Sequence, residues 1–312
     1  MADVAKDRND PDLFSEATGR VTKTTEYLDE YLAAQDNTPK TKNMKRSDIL
    51  RFSKAFPFFE RVTNKKAKDW VRSLGVAPPT QKRVIGFISD YWRWCIEHKD
   101  LTAEYCLKDV TETLRTGKKT TGPSRIHYSD EDYQRLLDSS QSDPLLNDLI
   151  RLGAHTGCRI EELCSLKLAN VTAESLNIVD AKTEAGIREI PIHKDIRQLV
   201  ARLRDTSTDE YLISGLTFNM YDDRSNAIGK RFGRLKRKLG FGRQHVFHSF
   251  RNTLARKLEE EGVPENIAAR TVGHKLKTMT YGLYSGGVSL KVKQEAIDKV
   301  SYKKQPPHPH EM

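Results

Sequence analysis

Apolar positions between residue 23 and about residue 109 recur with the period of an α-helix. In the stretch TEYLDEYLAA, the side chains of Tyr27, Leu28, Tyr31 and Leu32 fall on one stripe. The later stretch RVIGFISDYWRWCIEH supplies a broad face of aromatic and aliphatic side chains. These patterns predict a helical domain over residues 21–114.

The second half of the chain combines helical and strand patterns. Ser129 and Asp132 have the spacing of a capping box, and a helix through LLNDLIRLGAHTG is expected to stop near Gly157. The stretch SLNIVDAKTEAGIREIPI predicts two short strands joined by a turn that contains Gly186, with Pro191 indicating an exposed edge. We therefore expect a mainly α fold with a small β-sheet.

Two further helical segments follow the strands. Ile228, Phe232, Leu235 and Leu239 are spaced as one apolar helix face, and the cations around them are expected to have no acid to neutralise them. The next segment, LARKLEEEGVPENIAARTVGHK, predicts a helix, a Gly-Val-Pro turn and a second helix. By itself this pattern also suits a helix-turn-helix regulator that binds DNA without catalysis. The cations around the apolar face of Ile228 and Phe232 are Lys230, Arg231, Arg234, Lys236, Arg237, Lys238 and Arg243.

A basic segment, RTGKKTTGPSR, separates the two halves. It contains two glycines, a proline and four cations but no acid, a composition that disfavours both helix and strand. We predict a linker here, whose Lys118 and Lys119 are candidates for contact with a nucleic acid. The predicted order is a flexible N-terminus at 1–20, a helical domain at 21–114, the linker at 115–125, a second domain at 126–302 and a disordered tail at 303–312.

The overall composition is basic, with 53 Lys and Arg against 43 Asp and Glu and a net charge of +10 at pH 7. Such an excess favours a polyanionic partner, although it does not bear on the fold. The four cysteines include no CxxC pair and are expected to be reduced thiols rather than disulfides or zinc ligands. Neither a signal peptide nor an apolar run of membrane-spanning length is evident, so we expect a cytoplasmic protein without a membrane partner.

Several cations have positions that suit contact with DNA. In TPKTKNMKRSDILRFSKAF the cations come first and the apolar residues follow, as in a helix that packs on a core and turns its basic end to a phosphate backbone. A solvated charged face is the alternative interpretation. The candidates are Lys40, Lys42, Lys45 and Arg46 in this segment, and Lys230 and Arg234 in the later cationic helix.

The stretch TGCRIEEL contains the first candidate for chemistry. Gly157 is expected to end one helix, and Arg159 would open the next. An arginine at a helix N-terminus adds a fork of donors to the positive end of the helix, which makes a seat for phosphate. Glu162 is placed to hold that side chain through an i, i+3 contact. An ordinary surface Arg–Glu pair is the alternative.

Two later stretches hold further candidates. In HSFRNT, His248 and Arg251 share one helix face, which couples a group that titrates near neutrality with a permanent cation. In GHKLKTMTYGLYS, Tyr281 and Tyr284 follow His274 closely. Two tyrosines three positions apart are more often packed aromatic residues than reagents.

The order of these residues closely resembles the tyrosine recombinase (phage integrase) family. The resemblance covers the region of about 126–290 and, more loosely, the helical region before it. It implies a helical, SAM-like core-binding domain followed by an α+β catalytic domain, the two forming a C-shaped clamp on duplex DNA. The matching residues, in chain order, are Arg159, the hairpin lysine Lys182, His248, Arg251, His274 and a final tyrosine.

Two departures from the family pattern concern the end of this series. Asn252 stands where the family usually has a second histidine, at a position that is not central to the chemistry. Tyr284 follows His274 at a separation one residue longer than is usual, a change that Gly282 absorbs. Tyr284 is therefore the expected nucleophile, and Tyr281 is expected to be a packing residue.

The resemblance also implies a mechanism. Arg159 and Arg251 would bind the non-bridging oxygens of the scissile phosphate, and His274 would add a hydrogen bond to the same group. No metal and no nucleotide cofactor is implied, because a phosphotyrosyl bond retains the energy of the broken linkage. The remaining roles are attack on phosphorus for Tyr284, handling of the tyrosine proton for His248, and protonation of the leaving 5′ oxygen for Lys182.

The implied function is site-specific recombination, by an integrase or excisionase of a phage or other mobile element. The implied partners are duplex DNA with inverted-repeat core sites, three further copies of the chain in a homotetramer on DNA, and an accessory directionality or DNA-bending protein. The C-terminal segment is expected to dock on its own domain or on a neighbouring protomer. A type IB topoisomerase, which shares the same chemical logic, and the helix-turn-helix regulator are the alternative functions.

Overall fold

The computed structural model describes residues 21–108, 110, 126–180, 186–274 and 287–302. The chain divides into two compact units, Met1–Gly122 and Pro123–Met312. The division falls inside the segment that the sequence predicts to be a linker, 115–125. That segment lies outside the described residues, and so do the predicted flexible ends at 1–20 and 303–312.

The first unit is helical. Thr38 caps its second helix by accepting a hydrogen bond from the backbone nitrogen of Thr41 at 3.3 Å, and Pro39 occupies the first turn. Asp100, in the left-handed region with φ of 49°, ends its longest helix. The helices are α1 (Leu28–Ala34), α2 (Pro39–Ala55), α3 (Asn64–Ser73) and α4 (Pro78–Lys99), with a 3-10 turn at Phe59–Arg61.

Aromatic side chains fill the centre of this unit. The predicted stripe on α1 is confirmed, since Leu28, Tyr31 and Leu32 are buried and Tyr27 packs against them in part. Such rings bury large apolar areas and therefore dominate the packing of a small helical unit. The buried aromatic set includes Tyr31, Phe52, Phe59, Tyr91 and Trp92.

The second unit combines helices with a two-stranded antiparallel sheet. Its strands, β1 (Ser175–Ile178) and β2 (Arg188–Pro191), pair so that the buried residues Leu176 and Ile190 lie opposite each other. The chain is therefore mainly α with a small sheet, as predicted. The helices are α5 (Asp130–Ser139), α6 (Pro144–Thr156), α7 (Ile160–Cys164), α8 (Arg197–Thr206), α9 (Asn226–Lys238), α10 (Ser249–Glu260), α11 (Glu265–Val272) and α12 (Leu290–Ile297).

Local signals in this unit are confirmed. The Ser129 hydroxyl accepts a hydrogen bond from the backbone nitrogen of Asp132 at 3.0 Å, and the Asp132 carboxylate accepts one from Ser129 at 3.1 Å. Gly157 ends α6 in the left-handed conformation. Both features depend only on residues close in the chain, so the sequence alone specified them.

The interpretation of Pro191 as an exposed edge is wrong. Pro191 is buried, and α12 packs along β2. Lys293 donates to the Glu189 carbonyl oxygen at 3.0 Å, and Gln294 donates to that of Ile192 at 3.2 Å. The C-terminal helix of this chain therefore docks on its own domain. Within the part of the chain that the structure describes, no helix is long and apolar enough to cross a membrane.

Candidate active site and basic surfaces

The candidate site begins at the corner between α6 and α7. Gly157 turns this corner with φ of +61°, and a Cβ atom added there would lie 3.1 Å from Leu254 Cδ2 and 3.6 Å from Arg251 Cα. A larger residue would therefore meet both an unfavourable backbone conformation and the packed face of α10. Glycine allows the corner to approach α10 closely, and this approach brings the two candidate arginines together.

Arg159 stands at the N-cap of α7, as the sequence predicts. Its backbone nitrogen donates to Glu162 Oε2 at 2.9 Å, and its guanidinium Nη1 makes an ion pair with Glu162 Oε1. The Glu162 side chain is 5% exposed, whereas that of Arg159 is 35% exposed. Glu162 thus holds one side of the guanidinium while the rest remains accessible, so the pair is more than a surface contact.

Arg251 is almost completely buried, with 1% of its surface exposed. Its Nη1 donates to the Gly157 carbonyl oxygen at 3.1 Å, while Nη2 is buried and makes no hydrogen bond to any described residue. Burial lowers the pKa of Arg251 to about 10, and the positive charges of Arg188 and Arg159 act in the same direction. A buried cationic donor without a partner is costly, so this nitrogen is a position where an anion would be strongly favoured.

His274 emerges from the end of α11. Gly273 adopts the left-handed conformation with φ of 81°, and the backbone nitrogens of Gly273 and His274 both donate to the Ala269 carbonyl oxygen. Although the residue keeps exposed surface, partial loss of water around the ring lowers its pKa. The charges of Arg251, Arg159 and Arg188 lower that pKa further, which indicates that the ring faces the same cationic cluster.

His248 lies one turn before Arg251, as expected. It is the N-cap residue of α10 and is partly buried, and its carbonyl oxygen accepts a hydrogen bond from the backbone nitrogen of Arg251 at 3.2 Å. The predicted general acid Lys182 and the predicted nucleophile Tyr284 lie outside the described residues, as does Tyr281. Their roles stay predictions, as does that of His248.

Arg188 also belongs to the cluster, although it is not among the site residues predicted from the sequence. Its Nη2 lies 3.0 Å from Glu162 Oε2, and its side chain is 4% exposed. The alternation of residues along the strand could have indicated that Arg188 is buried. Arg188 alternates with Ile190 and Ile192, which are both buried, and so occupies an inward-facing position. A charge at such a position requires a buried partner, and Glu162 is that partner.

Among the residues that the structure describes, one group of side chains brings possible metal ligands together. Ligand atoms of His155, His193 and Asp195 lie within 4.8 Å of one another. His193 Nδ1 accepts from the Asp195 backbone nitrogen at 3.0 Å, and Nε2 contacts the Val300 carbonyl oxygen at 2.9 Å. Because both ring nitrogens of His193 already take part in hydrogen bonds, the group lacks the free ligand set that a metal would require.

The prediction that Lys45 contacts DNA is wrong. Lys45 is 5% exposed, and its Nζ donates to the Tyr31 hydroxyl at 3.0 Å and to Gln35 Oε1 at 2.7 Å. It lies four and seven residues before Ile49 and Phe52, which are buried, so it belongs to the inner face of α2. Burial lowers its pKa. The cation thus anchors the core and does not face a phosphate backbone.

The neighbouring candidates on α2 are not buried. Lys40 is exposed, Lys42 is partly exposed, and Arg46 is partly exposed in an ion pair with Asp29 at 2.6 Å. These three residues stay predicted DNA contacts. Lys118 and Lys119 of the linker stay so as well, but they lie outside the described residues.

The cationic helix α9 has its predicted apolar face, since Ile228 and Phe232 are buried. Lys230 and Arg234 are exposed and line an open cavity of about 430 Å³, with Phe218 and Asn226 among its other residues. They stay predicted DNA contacts.

The expectation that no acid neutralises the cations of α9 is wrong for Arg231. Its guanidinium makes an ion pair with the carboxylate of Asp143, which lies 88 residues earlier in the chain. Lys236 is also engaged, because its Nζ donates to the Gly242 carbonyl oxygen at 2.9 Å. Only part of the cationic set of α9 therefore remains for an external partner.

Comparison with known proteins shows to which protein family the chain belongs. Residues 128–286 match the model of the phage integrase family. The chain belongs to this family. Among relatives, it is similar to the integrase of Escherichia phage lambda, with 25% identity over 207 residues that cover 64% of this chain and 56% of the relative. The chain spans about half the length of the first curated relatives that it matches.

Solved structures of family members show the same fold. A crystal structure of a lambda integrase dimer bound to a COC′ core site aligns with a TM-score of 0.65 and 19% identity, covering 92% of this chain and 87% of that one. A lambda integrase tetramer bound to a Holliday junction aligns with a TM-score of 0.66 and 19% identity, covering 86% and 82%. The integrase fold is thus shared at low sequence identity.

Proposed function

We propose that this phage integrase family member is a site-specific tyrosine recombinase, which cuts and rejoins duplex DNA through a 3′-phosphotyrosyl intermediate. Its biological role would be that of an integrase or excisionase of a phage or other mobile element. The observation that carries the proposal is the buried Nη2 donor of Arg251, which has no partner among the described residues and lies in a cluster with Arg159 and His274.

The cluster has the properties of a phosphate seat. Arg251 presents a desolvated donor, and Arg159 presents an accessible guanidinium whose other side is fixed by Glu162. Charge-assisted hydrogen bonds to phosphate oxygens are strongest where water is excluded and the donors are already in place. The lowered pKa of His274 favours a neutral ring at neutral pH, which donates a hydrogen bond to the phosphate without adding charge.

The cleavage step then balances without an added cofactor. The Tyr284 phenol attacks phosphorus, a bond forms between its oxygen and the phosphate, and the bond from phosphorus to the 5′ oxygen breaks. His248 takes up the tyrosine proton, and Lys182 gives a proton to the departing 5′ oxygen. Arg159, Arg251 and His274 stabilise the charge on the non-bridging oxygens. Attack by a 5′ hydroxyl on the phosphotyrosyl bond reverses these steps and joins a new strand.

The proposed partner is duplex DNA that carries inverted-repeat core sites, on which four copies of the chain assemble. The lambda integrase relatives, crystallised as a dimer on a core site and as a tetramer on a Holliday junction, support this assembly. An accessory directionality or DNA-bending protein is part of the proposal, and the site of action is the cytoplasmic nucleoid. The proposed DNA contacts are Lys40, Lys42, Arg46, Lys118, Lys119, Lys230 and Arg234.

The test is a covalent trapping experiment in EDTA. A duplex selected by the protein from a random library is given a nick near the cleavage site, so that the short released strand diffuses away and the adduct persists. We expect wild-type protein and Tyr281→Phe to form a denaturant-resistant adduct, and Tyr284→Phe to form none. Adduct lost in Tyr281→Phe but kept in Tyr284→Phe would move the nucleophile to Tyr281.

Two outcomes would overturn the proposal. Tight binding to the selected duplex without any adduct would indicate a DNA-binding regulator. Adduct formation combined with relaxation of supercoiled DNA by a monomer, without strand exchange between two sites, would indicate a topoisomerase. Strand exchange between two labelled duplexes is the result that we expect.

A further inference from the structure

Glu162 is shared between two arginines. Its Oε1 atom pairs with Arg159 Nη1, while Oε2 accepts hydrogen bonds from the Arg159 backbone nitrogen at 2.9 Å and from Arg188 Nη2 at 3.0 Å. Arg188 is buried on β2, where its Nη1 donates to the Gly186 carbonyl oxygen at 2.7 Å. Its Nε is also buried and makes no hydrogen bond within the described ranges.

The charges in this cluster suggest why the second arginine is present. A buried carboxylate orients Arg159 well, but it also cancels the positive charge that Arg159 offers to a phosphate. The guanidiniums of Arg159, Arg188 and Arg251 carry three positive charges. The Glu162 carboxylate carries one negative charge, so the cluster has a net charge of +2. A phosphodiester carries one negative charge, and a second develops on its oxygens when the nucleophile attacks. The cluster therefore matches the transition state better than the ground state.

We propose that Arg188 is a positioning residue for strand transfer: it takes up the charge of Glu162, so that Glu162 orients Arg159 without cancelling the charge that Arg159 presents to the scissile phosphate. This inference rests on the proposed function. Arg188 acts through its ion pair with Glu162 and through the electrostatic effect of its own positive charge. No contact between Arg188 and the substrate is assigned.

Two observations support this role. The positive charge of Arg188 lowers the pKa of both Arg251 and His274, so its field reaches the residues of the phosphate seat. Arg188 also donates from Nη1 to the Gly186 carbonyl oxygen at 2.7 Å, and this bond fixes the chain just before β2 to the cluster. A buried ion pair by itself is weak evidence of a stabilising role, which makes a functional test necessary.

The experiment is a charge-rescue cycle on the nicked selected duplex, read as the single-turnover rate of adduct formation. Arg188→Met leaves Arg159 as the remaining cation paired with Glu162, so Glu162 cancels the charge that Arg159 offers to the phosphate, and we expect the rate to fall about 10- to 100-fold with little change in DNA affinity. Arg188→Met combined with Glu162→Gln removes both charges, and we expect it to cleave about fivefold faster or more than Arg188→Met alone. A purely structural ion pair predicts that the double variant is no better than the single one.

A neutral substrate provides a second readout. On a duplex with a methylphosphonate at the scissile position, one charged non-bridging oxygen is replaced by a methyl group. We expect the ratio of wild-type to Arg188→Met rates to shrink toward one on this substrate, because less charge remains to be stabilised. A ratio equal to that on the normal phosphate would contradict the inference.

The controls separate charge from folding and from the proposed function. Arg202→Met removes the arginine of a different ion pair in the same unit, with Asp148 at 2.7 Å, and is expected to cleave at the wild-type rate. Arg188→Lys keeps the charge and is expected to retain most of the rate. If Arg188→Met does not fold, the double variant decides, and a folded but inactive double variant overturns the inference. Absence of adduct with wild-type protein would refute the proposed function itself.

Discussion

Arg251 donates from Nη1 to the carbonyl oxygen of Gly157 at 3.1 Å, across 94 residues of sequence. This bond joins the start of α10 to the corner between α6 and α7. It orients the guanidinium so that Nη2, buried and without a partner among the described residues, is left for a ligand. The closeness of the two segments depends on the absence of a side chain at Gly157.

Gly157→Ala is expected to lower the free energy of unfolding of the second unit by about 1–3 kcal/mol, since it adds backbone strain at a positive φ and a contact 3.1 Å from Leu254. Gly262→Ala is the matched control, because Gly262 also has a positive φ (+68°) but has no atom within 4 Å of the added Cβ. Urea unfolding measures both changes. Equal losses would show that the contact with α10 contributes nothing.

Arg251→Lys is expected to reduce the rate of adduct formation by about 100-fold or more while DNA affinity stays near that of the wild type. Lysine retains the charge, but it cannot donate to Gly157 and to a phosphate oxygen in the fixed geometry of a guanidinium. Single-turnover trapping on the nicked duplex provides the rate, and filter binding provides the affinity. A loss of affinity with an unchanged rate would show that Arg251 serves binding alone.

The second unit is expected to lose stability as the pH falls from about 6.5 to about 4, by up to about 3 kcal/mol. Burial, with a contribution from His193, lowers the pKa of His155 to about 4 from an ordinary value of 6.5. The unfolded chain therefore binds a proton in this range that the folded protein does not, so acid favours unfolding.

His155→Gln is expected to flatten this pH dependence, as measured by urea unfolding across the same range. His127→Gln, which removes a partly exposed histidine of the same unit, is the comparison. If the pH dependence of His155→Gln equals that of the wild type, another group is responsible.

Lys45→Met is expected to leave the salt dependence of DNA binding unchanged and to destabilise the first unit by about 1–3 kcal/mol, because Tyr31 and Gln35 lose their buried partner. Lys42→Gln is expected to reduce the slope of log Kd against log salt by about one, as the loss of one phosphate contact does. Measuring both variants from low to high salt tests the assignment. A reduced slope for Lys45→Met would restore it as a DNA contact.

Arg231→Gln should affect stability more than DNA binding, because its guanidinium is paired with Asp143. Arg234→Gln, three residues later and exposed on the same helix, should weaken DNA binding and lower the salt slope while leaving stability unchanged. Urea unfolding and salt-dependent binding of the two variants provide the comparison. The reverse result would show that Arg231 leaves Asp143 in order to contact DNA.

Features that depend on neighbours in the chain were predictable. The capping box of Ser129 and Asp132, the stop at Gly157 and the contact of Arg159 with Glu162 each span three or four residues, so helix geometry specifies them. The order of candidate residues along the chain indicated the family, which the match over residues 128–286 confirmed.

The tertiary structure alone decided which charges are buried and with which partner. A helical pattern shows that Lys45 shares a face with Ile49 and Phe52, but it does not exclude that a long cation reaches solvent. The partners of Arg231 and Arg188 lie 88 and 26 residues away in sequence. Desolvation and pairing depend on distances in space, which a linear pattern does not contain. The sequence thus determined the local elements and the family, whereas the fold decided which cations remain available for a phosphate.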